Sequence, residues 1–527
     1  MDTWGRRFGA ALGGFALAWS FPPHYGWWWL APAAVATLTL CVRGQRPGFA
    51  AVLGLLFGAV FFGFLLTWMT VVGIDAWIGL AALCAAWLAG LGVAVSWVTR
   101  LRGWPLWVAC VWVAEEALRD RIPLGGFPWG RLAFVTGEGG LTAYAWLLGA
   151  PGVTFATALV GALIAYAVVG IQRASRVSSP RPGLMALSVA VAATLIVFAA
   201  MDYLRPLIEG PTTSEFSAVP VAVVQGNVPR SGFDFQGQRE EVLRNHVKAT
   251  VDFADQLKTG QGQQGRPNFV IWPENATDID PFSDAAAAAL IQSAVDAIGV
   301  PVLVGAVVTN PKDPSTILNL SIVWNPKTAT SPGGPGQTYA KRHPVPFGEY
   351  IPFRSMIGNL TQRFSLIPRD FAPGDSPGVL TIAGVTIGVV ICFEVAYDQE
   401  PRDVINGGGQ FLVVQTNNAT YGNTGQPEQQ LAITQTRAIE HNRTALVAAT
   451  SGISAVIDSK GRILQRSEEF TQTVLQANAQ LHGTRSPSDR LGEWPEWLLS
   501  AVALLAVVRG ARTGRRVRAA PALAARP

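Results

Sequence analysis

The chain has 527 residues, 50% of them apolar and only 14% charged, with 18 tryptophans and four cysteines. Soluble proteins carry about a quarter charged residues, so this composition excludes an ordinary soluble globule, and likewise disorder, collagen and a disulfide-stapled scaffold. Net charge is +5, from 40 basic and 35 acidic residues; the excess arginine sits in short loops and at the C-terminus, a membrane-topology pattern rather than a nucleic-acid footprint.

Charge-free stretches run over Phe8–Val42, Pro47–Ile74, Ala76–Thr99, Gly103–Ala114, Gly139–Gln172 and Pro182–Met201. A bilayer span takes about 20 apolar residues, so several of these qualify alone. The first is too long for one span and is broken at Phe21-Pro22-Pro23-His24-Tyr25-Gly26, which makes two helices with Trp27, Trp28 and Trp29 at the interface. A cleavable signal peptide over Met1–Ser20 is the competing reading; the apolar spans that follow and a poor cleavage-site pattern speak against it. Seven helices are expected in residues 1–203. Arginines at 6, 7, 43, 46, 100, 102, 173, 176 and 181 alternate with arginine-poor ends, which puts both chain termini in the cytoplasm and Asp202 outside. An eighth span is expected over residues 491–509, followed by a basic cytoplasmic tail over 510–527.

Between them, residues 216–485 change character. β-rich runs appear at Pro220–Gln225, Phe269–Trp272, Val300–Val308, Leu318–Trp324, Val379–Ile382, Val385–Cys392, Phe411–Gln415, Thr444–Ala448 and Ser454–Ile457. Helix-like segments lie at Gln238–Gln256, Ser283–Ile298 and Glu428–Asn442, whereas Lys258–Arg266 and Ser331–Gln337 read as loops. Strands alternating with helices predict an α/β domain whose sheets are covered by helices. No internal repeat is visible.

Three strand ends carry reactive groups. Cys392 is the only cysteine between residues 203 and 490, so this region has no internal disulfide; alone, the residue reads as a buried small hydrophobe. Glu274 follows the strand Phe269–Trp272, where α/β sheets open their ligand crevices, though it also fits a surface helix cap. Lys341 ends Gln337–Ala340 and alone reads as a solvated base. Together they form a workable machine: the glutamate takes and returns the thiol proton, and the lysine stabilises thiolate and oxyanion. The chain's five histidines and the one cysteine of this region offer no metal-ligand cluster, and no phosphate-binding glycine loop follows a strand, so neither metal nor cofactor is expected.

Phe269–Asn275, Tyr339–Tyr350 and Val389–Glu394 resemble the three catalytic segments of the nitrilase, or carbon–nitrogen hydrolase, superfamily. The string Lys-Arg-His-Pro-Val-Pro-Phe-Gly-Glu-Tyr-Ile-Pro at 341–352, with Gln225–Pro229 and Gly126-Phe127-Pro128-Trp129, is similar to that superfamily's membrane-embedded branch, the apolipoprotein N-acyltransferases. The resemblance covers nearly the whole chain. It implies an αββα sandwich set on about eight transmembrane helices, in the inner membrane of a bacterium with the sandwich on the outer face. It further implies transfer of an acyl chain from a membrane phospholipid, through a Cys392 thioester, to the α-amino group of a diacylglyceryl apolipoprotein. Glu349 and Glu394 are then supporting carboxylates, beside Phe393. Asn227, Asn417, Asn418 and either Phe233 or Phe235 are candidates for substrate contact. The chain departs from the family in having Phe393 where a tyrosine is common, and Thr416–Gly422 in place of a Ser-Asn-Asp-aromatic-Trp-Phe-Gly stretch. The apolar segment Tyr350–Phe371 reads equally as a mobile arm guiding acyl chains and as an ordinary packed loop. The competing function is a membrane-tethered carbon–nitrogen hydrolase in which water resolves the thioester. A further reading, an apolar transporter half joined to an inert binding module, is disfavoured because all three reactive positions are intact.

Overall fold

The computed structural model describes the chain except residues 1, 138, 177–180, 210–216, 229–238, 261–264, 359–363, 365–366 and 520–527. It divides into two compact units, one made of residues 1–208 and 490–527, the other of 209–489.

The first unit is helical. It contains α1 (Thr3–Trp19), α2 (Leu30–Val42), α3 (Pro47–Leu65), α4 (Ile74–Val98), α5 (Trp104–Arg119), α6 (Tyr144–Arg176, kinked at Gly149) and α7 (Arg181–Glu209). Five helices among the described residues are long and apolar enough to cross a bilayer: α3, α4, α6, α7 and the C-terminal helix Trp494–Ala519. Small residues let α3 and α4 approach closely: a Cβ on Gly54 would stand 2.1 Å from the Leu88 carbonyl oxygen. A buried ion cluster sits at the end of α5. Arg119 pairs with Glu115 at 3.1 Å and donates to the carbonyls of Phe127 and Trp129, which fixes the Gly126–Trp129 segment. Glu116 accepts from Thr154 and pairs with Arg131, and Arg121 pairs with Glu496. Charge this deep persists only when paired in this way.

The second unit is built from β1 (Ala218–Gln225), α8 (Arg239–Lys258), β2 (Phe269–Ile271), α9 (Ala285–Ile298), β3 (Val302–Thr309), β4 (Ile317–Asn325), β5 (Gly334–Ala340), a single turn α10 (Arg354–Ile357), β6 (Val379–Ile382), β7 (Val385–Ile391), α11 (Gln399–Asn406), β8 (Leu412–Thr416), α12 (Gln426–His441), β9 (Ala445–Ala449), β10 (Ala455–Ile457), β11 (Ile463–Arg466), β12 (Thr473–Gln480) and α13 (Pro487–Leu491), after which α14 (Trp494–Ala519) returns to the helical unit. Two six-stranded sheets form, in the orders β12-β1-β2-β3-β4-β5 and β11-β10-β9-β8-β7-β6. Each has three parallel strands at its centre, β1-β2-β3 and β7-β8-β9, and antiparallel strands outside them. The two sheets therefore repeat one topology that the sequence does not repeat. Along β1, Val221 and Val223 point into the layer between the sheets with Ile387, Val389 and Val413, while Ala222 and Val224 pack on α8 and α9. That alternation makes a four-layer sandwich, with α11 and α12 against the other sheet. Helix α9 is a strong local signal: Asp284 caps its first turn by accepting from Ala286 and Ala287, and Gly299 ends it in the left-handed region.

The expected strands and helices of this unit all form, within a few residues of their predicted ends. Three strands escaped the pattern. The loop expected at Ser331–Gln337 instead begins β5, whose Gly-Pro-Gly-Gln start carries no strand propensity and is placed by pairing with β4. The strands β11 and β12 are polar and half-buried, and the short helix α11 was likewise unread.

Candidate active site

β2 and β5 run in the same direction in the first sheet, so Glu274 and Lys341 emerge at the same end. Glu274 lies just beyond β2, and the turn that carries it is packed on β3 at Gly305, where a Cβ would stand 2.1 Å from the Pro273 carbonyl oxygen. Lys341 follows Ala340, its N–H held by the Asn319 carbonyl at 2.9 Å. Both side chains are buried, and Lys341 Nζ donates to Glu274 Oε1 at 3.1 Å and to Glu349 Oε1 at 2.9 Å. Asn319 Nδ2 donates to the same two oxygens, at 2.7 and 3.2 Å. The second oxygen of Glu274 accepts from the Asn417 N–H at 2.8 Å, and that of Glu349 from the Val345 N–H at 2.7 Å.

Cys392 follows β7 and opens a short 3-10 turn with φ at +55°, a left-handed conformation that costs a non-glycine residue about 1 kcal/mol or more. Its thiol is partly accessible but packed by protein. Burial pushes the thiol up to about 12; the charge of Glu274 adds to this, while Lys341 and a hydrogen bond from Thr416 pull it down. The balance favours a neutral thiol. Burial alone would lower the Lys341 ammonium, but Glu274 and Glu349, with smaller contributions from Cys392 and Glu394, outweigh it and hold the group well above the usual lysine range. Burial and the charges of Cys392 and Glu349 likewise raise the Tyr421 phenol, which stands in the field of this site.

Glu394 acts as a tie. Its oxygens accept from the N–H groups of Ile391 (2.7 Å), Arg342 (2.6 Å) and His343 (3.1 Å) and from the Tyr339 hydroxyl, so one carboxylate joins the loop after Lys341 to the turn that carries Cys392. Burial and the neighbouring Glu400 push it up to about 7, against Lys341 and these donors. On the other side of the turn, the fully buried Arg437 of α12 donates to the carbonyls of Val395 (2.9 Å) and Ala396 (2.7 Å) and pairs with Asp398 and Glu440.

The remaining expected residues are distributed as follows. Asn227 has φ at +73° and spends its side chain on the Phe470 carbonyl and the Val228 N–H. Asn418 is buried against Gln426 and Gln430, and Asn417 reaches the site through its backbone. Phe393 packs edge-on against Tyr397, which stacks on His343. Phe233 and Phe235 lie outside the described residues. Of Tyr350–Phe371, Ile351 is buried, Arg354 pairs with Asp370, and Phe353 and Met356 are 68% and 80% exposed; 359–363 and 365–366 are outside the described residues. The expectation of no metal-ligand cluster needs one amendment: His343, Glu394 and Glu400 bring ligand-type atoms within 4.8 Å of one another. The oxygens of Glu394 are engaged as above and Glu400 Oε2 accepts from Arg342, while Glu400 Oε1 stands 2.9 Å from His343 Nδ1, so the group reads as a polar network around Arg342. Asn319, Tyr421 and Arg437 were not singled out from the sequence, since each lies within an element or loop rather than at the end of an apolar run.

The chain is similar to known proteins over nearly its whole length. The family model described as the apolipoprotein N-acyltransferase N-terminal domain matches residues 13–163, and the carbon-nitrogen hydrolase model matches residues 220–487. The apolipoprotein N-acyltransferase of Mycolicibacterium smegmatis is 39% identical over 526 residues, covering 96% of this chain and 86% of that protein. The apolipoprotein N-acyltransferase of Nitrosomonas europaea is 30% identical over 540 residues, covering 98% and 99%, and that of Photobacterium profundum is 26% identical, covering 97% and 96%. With a helical unit, a two-sheet α/β unit and full-length relatives of one kind, the chain belongs to the apolipoprotein N-acyltransferase family.

Proposed function

We propose that the protein moves a fatty acyl chain from a membrane phospholipid to the α-amino group of the N-terminal diacylglyceryl-cysteine of apolipoproteins, with Cys392 as nucleophile, Glu274 as general base and acid, and Lys341 as oxyanion stabiliser. The observation that carries the reading is the buried Glu274–Lys341 pair with Glu349 on its other side and the neutral Cys392 thiol in its field. Glu274 takes the thiol proton as sulfur attacks the ester carbonyl, and returns it to the departing lysophospholipid alkoxide, leaving an acyl thioester. The acceptor amine then attacks the thioester, loses its proton to Glu274, and expels the Cys392 sulfur, which takes that proton from Glu274 and returns to the neutral thiol. Lys341 meets the negative charge that develops on the carbonyl oxygen in both halves. Both substrates are lipid-anchored, which accounts for a reactive unit joined to apolar helices. The protein then sits in the bacterial inner membrane with residues 209–489 on the outer face.

The test is intact mass of the detergent-purified protein after incubation with phospholipid, beside Cys392→Ser. The expected result is one added acyl mass, removed by hydroxylamine or by a diacylglyceryl-cysteine peptide and absent from the variant. An adduct that decays equally fast without the peptide supports the hydrolase instead, and no adduct with any phospholipid overturns the mechanism.

A further inference from the structure

β4 brings one polar side chain into the site. Asn319 is 2% exposed, and its amide nitrogen donates to one oxygen of Glu274 and one of Glu349, the same two oxygens that share the Lys341 ammonium. Two carboxylates are thus held side by side by one charged donor and one neutral donor. The opposite end of the amide gains nothing from this arrangement: Asn319 Oδ1 is buried with no hydrogen-bond partner among the described residues. An orphan buried acceptor is destabilising, and turning the amide over would point that oxygen at both carboxylates. The donor orientation is therefore dictated by Glu274 and Glu349, at the expense of the carbonyl.

We propose that Asn319 is a positioning residue for acyl transfer: by bridging Glu274 to Glu349 it holds the two carboxylates side by side and keeps Glu274 aimed for proton transfer. The inference rests on the reading of Glu274 as general base. The groups that face Glu274 are Lys341 and Glu349 beyond β5, the Asn417 N–H beyond β8 and the Cys392 thiol beyond β7, with the Tyr421 phenol in the same field. Lys341 supplies one positive charge against two carboxylates, so a neutral second donor to both of them lowers their repulsion without adding a proton that must later be moved.

The experiment is the single-turnover rate of thioester formation, followed by intact mass on the full-length protein with phospholipid, for wild type, Asn319→Leu, Asn319→Ala and Asn319→Gln. Asn319→Leu keeps the volume and removes the donor, so the rate at saturating phospholipid falls about tenfold or more while the phospholipid concentration for half-maximal rate is unchanged. Asn319→Ala falls likewise, and Asn319→Gln, which restores an amide donor, recovers part of the rate. A residue that only fills space predicts the wild-type rate in Asn319→Leu; should that variant fail to fold, Asn319→Gln no faster than Asn319→Ala overturns the role. Wild-type adduct formation with Asn319→Leu at the wild-type rate overturns the role of Asn319 alone. No adduct in the wild type overturns the thioester reading, and this inference with it.

Discussion

At the scale of single residues, the site separates charge from reactivity. Lys341, Glu274 and Glu349 are mutually paired, while burial and the Glu274 charge outweigh Lys341 and Thr416 and raise the Cys392 thiol. On the proposed mechanism the glutamate that accepts the proton also opposes its premature loss. A counter-intuitive consequence follows for Glu274→Gln, which keeps the shape and removes the charge. The largest charge raising the thiol disappears, so the midpoint of Cys392 alkylation by a small reagent is expected to shift to lower pH than in the wild type, while acylation by phospholipid is lost. A midpoint that stays in place or rises would show that Glu274 does not act on the thiol. Glu274 and Cys392 could be found in the sequence because each follows an apolar run, where a change of chemistry stands out, and Lys341 because it opens the distinctive string at 341–352. Asn319 could not. It lies between Leu318 and Leu320, and a polar residue in an alternating strand looks the same whether it faces water or two buried carboxylates.

Among the elements, the turn after β7 has to hold Cys392 in a left-handed conformation, and opposite charges grip it from its two sides: Glu394 collects N–H groups and Arg437 collects carbonyls. Arg437 comes from α12, every residue of which except Glu428 is buried, so the helix is a piece of core that also presents a guanidinium to the turn. Replacing Arg437 by methionine leaves Glu440 with only Ser488 and frees the two carbonyls. Breaking a buried pair from one side costs about 3–5 kcal/mol, so Arg437→Met is expected to lower the thermal midpoint and slow acylation together. Arg437→Lys should recover only part of either, because an ammonium has no planar fork to span adjacent carbonyls. A methionine variant with wild-type midpoint and acylation rate would remove the clamp from the account. The same scale shows where sequence patterns stop informing. β5 delivers Lys341, yet it begins Gly-Pro-Gly and becomes a strand only because β4 offers a partner; β2, β3 and β7 declare themselves through unbroken apolar runs. The helix α12 is unusual for the opposite reason, since its glutamines, threonines, Arg437 and Glu440 suggest exposure and are buried.

For the whole molecule, the two kinds of unit were legible because their charge content differs so sharply, while the shared topology of the two sheets was not, because strand order is a property of pairing and leaves no residue repeat behind. Orientation across the membrane follows from a different physical rule. Arg6, Arg7, Arg43, Arg46, Arg100, Arg102, Arg173, Arg176 and Arg181 occupy short segments at alternate helix ends, and arginines in short loops resist translocation. The opposite end of α7 carries Asp202 and leads into residues 209–489, and α14 leads from them into a stretch holding Arg509, Arg512, Arg515, Arg516 and Arg518. On the proposed topology, with the arginine-rich ends cytoplasmic, α7 and α14 both cross and residues 209–489 lie outside, on the side where the proposed acceptor is anchored. A reporter active only outside the cytoplasm is therefore expected to work when fused after Asp202 and to fail after Arg181, and a reporter active only in the cytoplasm should behave in the opposite way. Because the two fusion points bracket a single helix, the pair of outcomes reads the direction of that helix and nothing else. The reverse result would place the Cys392 site on the cytoplasmic face, away from its acceptor, and the acyltransferase reading would have to be abandoned along with the topology.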